Sequence, residues 1–327
     1  MEQIILANRR AICQNEEAAL LDLGDGVACL EFRSKGNSIS PAVKQFTLTV
    51  LADGMSGFDG LVIGSQAKHF SVGANLAFIR KQIEEKNFNL FELNVGTFQA
   101  MTTMIKCYHK PIVAAPYRGT LGGGLEIALH AHARVALSTV AMGLVEVGVG
   151  LLPGGGGTKE LALLAGSVPE KDRWPLMRSL FETLLTRGVS TDAEHAKKMH
   201  FLKASDVIVS DPADLIAAAK EQCLRLIQKG TAPPSKERAI LPGKHVYEQL
   251  VAHSEQMKEE GVISPFDHEI GKKIARIFAG GDTSGSEIRT ETQLLELERR
   301  VFVELAQTPE TYARICYFLE NNKMLRN

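Results

Sequence analysis

Residues 112–129, IVAAPYRGTLGGGLEIAL, place an apolar run, three consecutive glycines and a helical pattern in immediate succession. The run at 112–115 predicts a strand, and Leu125, Ala128 and Leu129 have the spacing of a buried helix face. Glycine has no Cβ, so it occurs where the backbone must approach another group closely. This stretch therefore predicts a strand-to-helix unit whose connecting loop makes a close main-chain contact.

Similar segments surround this unit. Strands are predicted at 27–33 (VACLEFR), 60–64 (GLVIG) and 134–138 (RVALS), and a helix is predicted at 76–108. Strands that alternate with helices pair in parallel through crossover connections. We therefore predict an α/β fold of repeated units as far as residue 165, preceded by a polar and unpatterned lead-in at residues 1–20.

The chain changes character after residue 165, where charged helices follow one another. They are predicted at 175–187, 191–199, 213–228, 246–260, 266–279 and 287–322. A proline-containing connector at about 230–244 marks a boundary or hinge. The predicted organisation is a lead-in at 1–20, a catalytic core at 21–200 and a C-terminal helical region at 201–327.

Charge, cysteine usage and hydropathy narrow the class of protein. The chain has 37 Lys and Arg against 38 Asp and Glu, a balance that excludes a disordered tail and a basic nucleic-acid-binding protein. Five dispersed cysteines without a CxxC pair argue against a disulfide framework and a zinc finger. No secretory signal and no apolar run of about 18 residues is present. We expect a cytoplasmic protein with no membrane span and no nucleic-acid partner.

The glycine loops could build a site from main-chain groups. Free N–H groups at a helix start stabilise negative charge on a bound oxygen, and Glu126 lies one turn into the helix. A second acid, Glu146, lies in an apolar stretch, GLVEVGVGLLPGG, where a carboxylate needs a partner or a raised pKa. Gly73 and Ala74 follow a predicted strand and could offer another N–H donor. On the motif alone, a glycine-rich helix start with Glu126 as a favourable acid remains an equal alternative.

Other chemistries fit the sequence less well. Gly148 and Gly150 begin a dinucleotide-like pattern, but Pro153 stands where a third glycine is needed. GGGGTK is not a P-loop, and no G-x-S-x-G serine motif is present. Glu126, His130 and His132 could be imagined as metal ligands, but His132 is expected to point elsewhere, and no metal is expected.

The ordered motifs resemble the enoyl-CoA hydratase (crotonase) family. The motifs are F-S-V-G-A-N (70–75), K-P-I-V-A-A (110–115), L-G-G-G-L-E (121–126) and G-L-V-E-V-G-V-G-L-L-P-G-G-G-G-T (143–158), and the likeness covers about residues 22–165. Residues 190–202 resemble a later helix of the family. The resemblance implies a spiral of repeated ββα units with a C-terminal helical region.

The resemblance also implies a reaction and the residues that perform it. Ala74 and Gly123 would donate oxyanion-hole N–H groups to an acyl-CoA thioester carbonyl, and Glu126 and Glu146 would be the acid/base pair. The implied reaction is syn addition of water to a trans-2-enoyl-CoA in fatty-acid β-oxidation. No cofactor is implied, since the CoA thioester is the substrate. Residues implied to line the substrate are Ser71, Gly73, Gly122, Pro153 and Gly154.

The sequence departs from the family at several positions. Ala115-Pro-Tyr-Arg-Gly-Thr120 replaces the usual A-V-N-G, His132 replaces an aspartate, and Leu76 and Ala77 follow Asn75 where a lysine is usual. These departures and the C-terminal helices resemble the hydratase portion of multifunctional 3-hydroxyacyl-CoA dehydrogenase proteins, so such a dehydrogenase is an expected partner. Lys35 and Arg118 are candidate CoA phosphate contacts, or ordinary surface charges.

The resemblance leaves other functions open and implies an oligomer. An enoyl-CoA isomerase and a CoA-thioester-binding scaffold without turnover are the alternatives. The family's C-terminal helices make trimer contacts, so a homotrimer or higher oligomer is implied.

Overall fold

A computed structural model describes residues 5–230 and 237–327, and it divides the chain into two compact units. The first unit comprises the described residues within Met1–Asn75, Ala100–Gly143 and Val189–Ser235. The second comprises those within Leu76–Gln99, Leu144–Gly188 and Lys236–Asn327. The segments of the two units alternate along the chain, so each unit is built from distant pieces of sequence.

A mixed seven-stranded sheet forms the centre of the first unit. Its strands are β1 (Ala11–Gln14), β2 (Ala18–Asp22), β3 (Val27–Phe32), β4 (Gly60–Gly64), β5 (Ile112–Ala114), β7 (Ala133–Leu137) and β9 (Val207–Val209), in that spatial order. The strands β3, β4, β5, β7 and β9 pair in parallel, as the alternation of strands and helices predicts. A two-stranded parallel sheet joins β6 (Gly119–Leu121) to β8 (Ala141–Gly143).

Two successive pairs of strands, β5 with β6 and β7 with β8, each contribute one strand to the large sheet and one to the small sheet. β5 and β7 lie in the large sheet, while β6 and β8, which follow them, pair in the small one. The helix α4 (Gly123–His130) follows β6 directly. The predicted ββα repeat and the predicted α/β class are therefore confirmed.

Glycines in the central strand β4 make room for a helix. A Cβ on Gly60 would lie 2.4 Å from Cys223 Sγ, and one on Gly64 would lie 2.7 Å from Ile216 Cδ1. Both partners belong to α8 (Leu215–Lys229), which packs on the sheet. The close approach buries the strand on both faces, as is usual for parallel strands.

Residues 1–20 contain elements that the sequence analysis did not predict. β1 and β2 pair in antiparallel orientation, and β2 pairs with β3. Residues 18–21 are fully buried and belong to the sheet, whereas the four residues of β1 are exposed. The run AALLD lacks the polar alternation of a half-buried strand because both of its faces are covered.

The predicted helix at 76–108 forms as two helices. They are α2 (Leu76–Glu84) and α3 (Phe88–Lys106). Lys86 lies between them with φ of +53°, a left-handed conformation that no helix interior contains. Residues 84–87, EEKN, are all polar, so the apolar spacing is interrupted at the break.

The second unit is mainly helical. Its other helices are α5 (Gly157–Ser167), α6 (Glu170–Leu185), α9 (Lys244–Glu259), α10 (Pro265–Phe278), α11 (Glu291–Ala306) and α12 (Pro309–Asn321). An antiparallel ribbon pairs β10 (Arg238–Leu241) with β11 (Glu287–Thr290). The predicted helix at 287–322 is thus a strand and two helices, separated at Pro309. In the predicted connector, residues 231–236 lie outside the described residues.

The remaining helices belong to the first unit. They are α1 (Pro41–Thr49) and α7 (Ala193–Lys198). All five cysteines fall within the described residues and are free thiols. Nowhere in residues 5–230 and 237–327 is a helix both long enough and apolar enough to cross a bilayer.

Candidate active site

The loop at residues 71–74 runs beside the start of α4. Ser71 forms a parallel bridge with Thr120, and its N–H donates to Gly119 O at 3.2 Å. Leu121 N–H donates to Ser71 O at 3.0 Å. The loop therefore adds to the edge of β6, which leads directly into the triple glycine.

The side chain of Ser71 holds this loop from inside the protein. Ser71 is fully buried, and its hydroxyl donates to Asn37 O at 2.6 Å while accepting from Gly73 N–H at 3.1 Å. The hydroxyl of Ser71 is thus engaged by main-chain groups of the protein. The substrate-lining role that the family resemblance implies for Ser71 stays a prediction.

Asn37 organises the same loop and was not predicted. Its Nδ2 donates to Ser65 Oγ at 3.0 Å and to His69 O at 3.0 Å. It has a left-handed backbone with φ of +51°, which asparagine tolerates better than most residues. The dipeptide Gly36-Asn37 after β3 is the signal that could have indicated this turn.

Missing Cβ atoms bring the loop and the helix start into backbone contact. Gly73 has φ of +91°, and a Cβ there would lie 3.2 Å from Gly123 N and 3.0 Å from Leu121 O. A Cβ on Gly124 would lie 2.5 Å from Ser71 Cβ. The structure therefore brings the segment containing Ala74 next to the segment containing Gly123.

The predicted acid Glu126 lies in the first turn of α4. The helix begins after Gly122, whose own N–H donates to Gly143 O at 2.8 Å and whose carbonyl accepts from Glu126 N–H. The amides of Gly123 and Gly124 therefore form the positive end of the helix. The Glu126 residue is only 2% exposed, so its carboxyl group is shielded from water.

The far end of α4 is fixed by a buried ion pair. Arg134 Nε lies 2.6 Å from Asp206 Oδ2, and both side chains are about 1% exposed. Arg134 Nη1 also donates to Ala128 O at 3.0 Å. The C-terminal carbonyls of the helix are thus satisfied, and the helix is held against β7 and the loop before β9.

His132 is occupied by main-chain partners. Its Nδ1 accepts from Ile112 N–H at 2.9 Å, and its Nε2 lies 3.0 Å from Lys106 O. Burial lowers the pKa of this imidazole, which favours the neutral form that can both accept and donate. The metal alternative of Glu126, His130 and His132 therefore loses one ligand.

Glu146 begins a short three-ten turn in the second unit. The turn spans Glu146–Val149 and is closed by Leu151 N–H, which donates to Glu146 O at 3.1 Å. Gly150 ends it with φ of +84°. The side chain of Glu146 is half-buried, whereas Val147 and Val149 are buried. The apolar neighbours thus anchor the turn that carries the acid.

The glycines after Pro153 serve packing within the second unit. A Cβ on Gly154 would lie 2.4 Å from the ring of Phe302, and Gln99 Nε2 donates to Gly154 O at 3.0 Å. Glu298 accepts from Gly156 N–H at 2.7 Å and from Lys159 N–H at 2.8 Å, which caps α5. The absence of a side chain at Gly154 therefore makes room for Phe302, and the substrate-lining role implied for Pro153 and Gly154 stays a prediction.

The predicted residues divide between the two units. The first unit brings together Ser71, Gly73, Ala74, Gly122, Gly123 and Glu126, whereas the second contains Glu146, Pro153 and Gly154. Lys35 and Arg118 are exposed in the first unit, which leaves a CoA phosphate contact and an ordinary surface charge equally open. Two closely approached backbone segments beside a buried carboxyl group can polarise a carbonyl and move a proton.

Comparison with known proteins gives matches in sequence and in structure. Residues 53–170 match the family described as enoyl-CoA hydratase/isomerase. The "Probable 3-hydroxyacyl-CoA dehydrogenase" of Bacillus subtilis (strain 168) is 40% identical over 99% of this chain and 41% of its own length. The fatty acid oxidation complex subunit alpha of Idiomarina loihiensis is 33% identical over 69% of this chain and 29% of its own length. The chain thus spans about two fifths of the first relative and less of the second.

Solved structures share the fold. An enoyl-CoA hydratase from Bacillus halodurans aligns over 92% of this chain and 99% of its own, with a TM-score of 0.62 at 15% identity. A carnitinyl-CoA dehydratase from Mycobacterium thermoresistibile aligns over 94% and 91%, with a TM-score of 0.63 at 17% identity. The predicted spiral fold is thereby confirmed.

Proposed function

We propose that the chain hydrates a trans-2-enoyl-CoA to a 3-hydroxyacyl-CoA in fatty acid oxidation, because residues 53–170 match the enoyl-CoA hydratase/isomerase family. The single observation that carries the proposal is the contact between the 71–74 loop and the start of α4. A Cβ on Gly73 would lie 3.2 Å from Gly123 N, so the Ala74 and Gly123 segments are neighbours. The buried acid Glu126 follows within one helical turn.

The amides of Ala74 and Gly123 would hold the thioester carbonyl. Negative charge develops on that oxygen when water adds to Cβ and the enolate forms. Each preorganised donor is worth about 3–4 kcal/mol in comparable oxyanion holes. The macrodipole of α4 adds to the field at Gly123, since its N-terminal end carries partial positive charge.

Glu126 and Glu146 would supply the acid and the base. One carboxylate takes a proton from water while the water oxygen bonds to Cβ, and the other carboxyl group delivers a proton to Cα. The carbon–carbon double bond becomes single, and no oxidant or reductant is consumed. The joint action of the two glutamates is carried over from the family motifs, since each is described here within its own unit.

Spectroscopic assay of crotonyl-CoA hydration tests the function. We expect loss of enoyl-thioester absorbance with the purified chain, and at least a 100-fold lower kcat for Glu126→Gln and for Glu146→Gln. CoA-ester binding should be largely retained in both variants, because the amide is isosteric with the carboxyl group. Absence of turnover by a folded chain that still binds CoA esters would support the scaffold alternative instead.

The names of the relatives favour a place beside a dehydrogenase. Two of them are named as a 3-hydroxyacyl-CoA dehydrogenase and a fatty acid oxidation complex subunit. The proposed product, a 3-hydroxyacyl-CoA, is the substrate of the reaction in the first name. We expect the chain alone to form no NADH from 3-hydroxybutyryl-CoA, because Gly148 lies within a three-ten turn that Gly150 ends, and the two glycines do not join a strand to a helix. NADH formation by the isolated chain would refute the expectation that the dehydrogenation is performed by another polypeptide segment. Turnover of a cis-3-enoyl-CoA would favour the isomerase alternative.

A further inference from the structure

The helix α12 contacts the turn that carries Glu146. Arg314 Nη1 donates to Val147 O at 2.7 Å, and Thr311 Oγ1 donates to Gly150 O at 2.7 Å. Both donors are fully buried in the second unit. The helix α12 thus binds two carbonyl oxygens of this turn. One belongs to Val147, which follows Glu146 directly, and the other to Gly150, which ends the turn.

Arg314 is itself held rigidly by the start of α10. Its guanidinium donates to Asp267 Oδ1 at 2.6 Å and to Ser264 Oγ at 2.8 Å. It also lies 5.0 Å from the ring centroid of Phe266, at cation–π distance. Burial tends to raise the pKa of Asp267, but the Ser264 amide and the Arg314 guanidinium outweigh it, and the pKa is lowered. Asp267 is therefore charged, and the pair is ionic.

The turn and the helix α12 pack closely against each other at Gly150. Gly150 has φ of +84°, and a Cβ there would lie 2.7 Å from Thr311 Cα. The backbones of the turn and of α12 are thus in direct contact. A displacement of α12 would move the turn with it.

A buried ion pair is a poor source of stability. Its desolvation cost is close to its Coulombic gain, and well-packed apolar residues often replace such pairs without loss. Fixed geometry is the property that an apolar replacement would not supply here, because it could not donate to Val147 O. Because Arg314 of this pair also binds Val147 O, the fixed position of its guanidinium fixes the turn that carries Glu146.

We propose that Arg314 is a positioning residue for Glu146, assisted by Thr311. The inference rests on the proposed function, in which Glu146 is one of the two proton-transferring groups. The two residues do not touch the substrate; they fix the turn, and the turn fixes the carboxylate. Small misplacements of a catalytic group can cost about 100-fold in rate.

Kinetics of three variants test the proposal. We expect Arg314→Met, Arg314→Lys and Thr311→Val each to lower kcat at least 10-fold with KM for crotonyl-CoA changed less than threefold. Arg314→Lys keeps a positive charge for Asp267 but lacks the guanidinium fork, so it should recover stability and not kcat. Thr311→Val removes the hydrogen bond to Gly150 O without changing any charge. It therefore still tests the proposal if Arg314→Met fails to fold.

Core variant Ile274→Ala is the matched control. Ile274 is fully buried on α10 and makes no hydrogen bond through its side chain, so its truncation lowers stability without releasing the turn. It should keep kcat within twofold under conditions where it remains folded. A kcat loss in Ile274→Ala equal to that in Arg314→Lys would mean that Arg314 acts through stability alone and would overturn the proposal.

Hydrogen–deuterium exchange separates this inference from the proposed function. Faster exchange of residues 146–151 in Arg314→Lys and Thr311→Val, and unchanged exchange there in Ile274→Ala, is the expected result. Exchange can be measured without turnover. An inactive wild-type chain would therefore refute the proposed function, while the role of Arg314 and Thr311 in fixing the turn could still be tested. Unchanged exchange in both Arg314→Lys and Thr311→Val would refute that positioning role even in an active enzyme.

Discussion

At the scale of single residues, the glycines have two different tasks. Gly73 and Gly124 are small because two backbone segments of the first unit meet there. Gly154 is small because Phe302 fills the space that its side chain would take. The sequence shows both as glycine clusters, and only the identity of the neighbouring atom distinguishes a prospective site from ordinary packing.

Gly124→Ala should separate the loop from the helix. The added Cβ would lie 2.5 Å from Ser71 Cβ and 3.0 Å from Ser71 O, so either the loop or α4 must move. We expect a loss of about 1–3 kcal/mol in the free energy of unfolding, as for other overpacked sites. We also expect at least a 10-fold loss of kcat in the hydration assay.

The control for this change is Gly285→Ala. Gly285 has no heavy atom within 4 Å of its Cβ position and no positive φ. Its stability and rate should match those of the wild type. Equal behaviour of the two variants would show that the approach of Ser71 to Gly124 has no energetic weight.

His132 should make stability depend on pH. Burial lowers the pKa of its imidazole in the folded state from the ordinary 6.5. Above about pH 6.5 both states are neutral and stability is complete; below it the unfolded state takes up the proton first, so stability falls. Urea unfolding at pH 7.5 and pH 5.5 should therefore show a smaller decrease in His132→Asn than in the wild type. The same decrease in both would contradict a neutral, buried His132.

At the scale of elements, α4 is the central unit of the candidate site. It has only eight residues, fewer than an isolated helix needs, so its stability comes from tertiary contacts. Gly124 meets the loop at one end of it and Arg134 binds its carbonyls at the other. The apolar spacing of Leu125, Ala128 and Leu129 predicted the helix, but it could not indicate the ion pair with Asp206, since the partners lie 72 residues apart.

Asp206→Asn should destabilise the first unit strongly. The change leaves the Arg134 guanidinium buried and uncompensated, and breaking such a pair typically costs about 3–5 kcal/mol. Denaturant unfolding provides the measurement. Lys81→Ala, which removes an exposed pair with Glu85, should change stability by less than about 0.5 kcal/mol. An Asp206→Asn protein as stable as Lys81→Ala would rule out the ion pair as a support of α4.

At the scale of the whole molecule, the chain returns to each unit more than once. Glu126 belongs to the first unit and Glu146 to the second, although only twenty residues of sequence separate them. The predicted division at residues 20 and 200 follows composition, and it stays a prediction. The proposed reaction requires the two acids to act in a single step.

Kinetics of the double variant test that requirement. If both glutamates act in one step, Glu126→Gln/Glu146→Gln should be little slower than the slower single variant, because groups that act as a unit are strongly non-additive. The measurement is kcat for crotonyl-CoA hydration in the two single variants and the double variant. Losses that multiply would indicate two independent effects and would argue against a joint acid/base pair.

The sequence by itself determined four of the parallel strands (β3, β4, β5 and β7), the glycine-rich start of α4 and the two acids, because apolar runs and glycine clusters are local signals. It missed the exposed strand β1, the strand β2, whose burial on both faces erases alternation, and the break at Lys86. Only the tertiary structure decided that Asn37 and Ser71 shape the loop, that Gly154 accommodates Phe302, and that Arg314 binds the Glu146 turn from 167 residues away. Such contacts depend on which distant residues share a neighbourhood, and a linear pattern does not encode that.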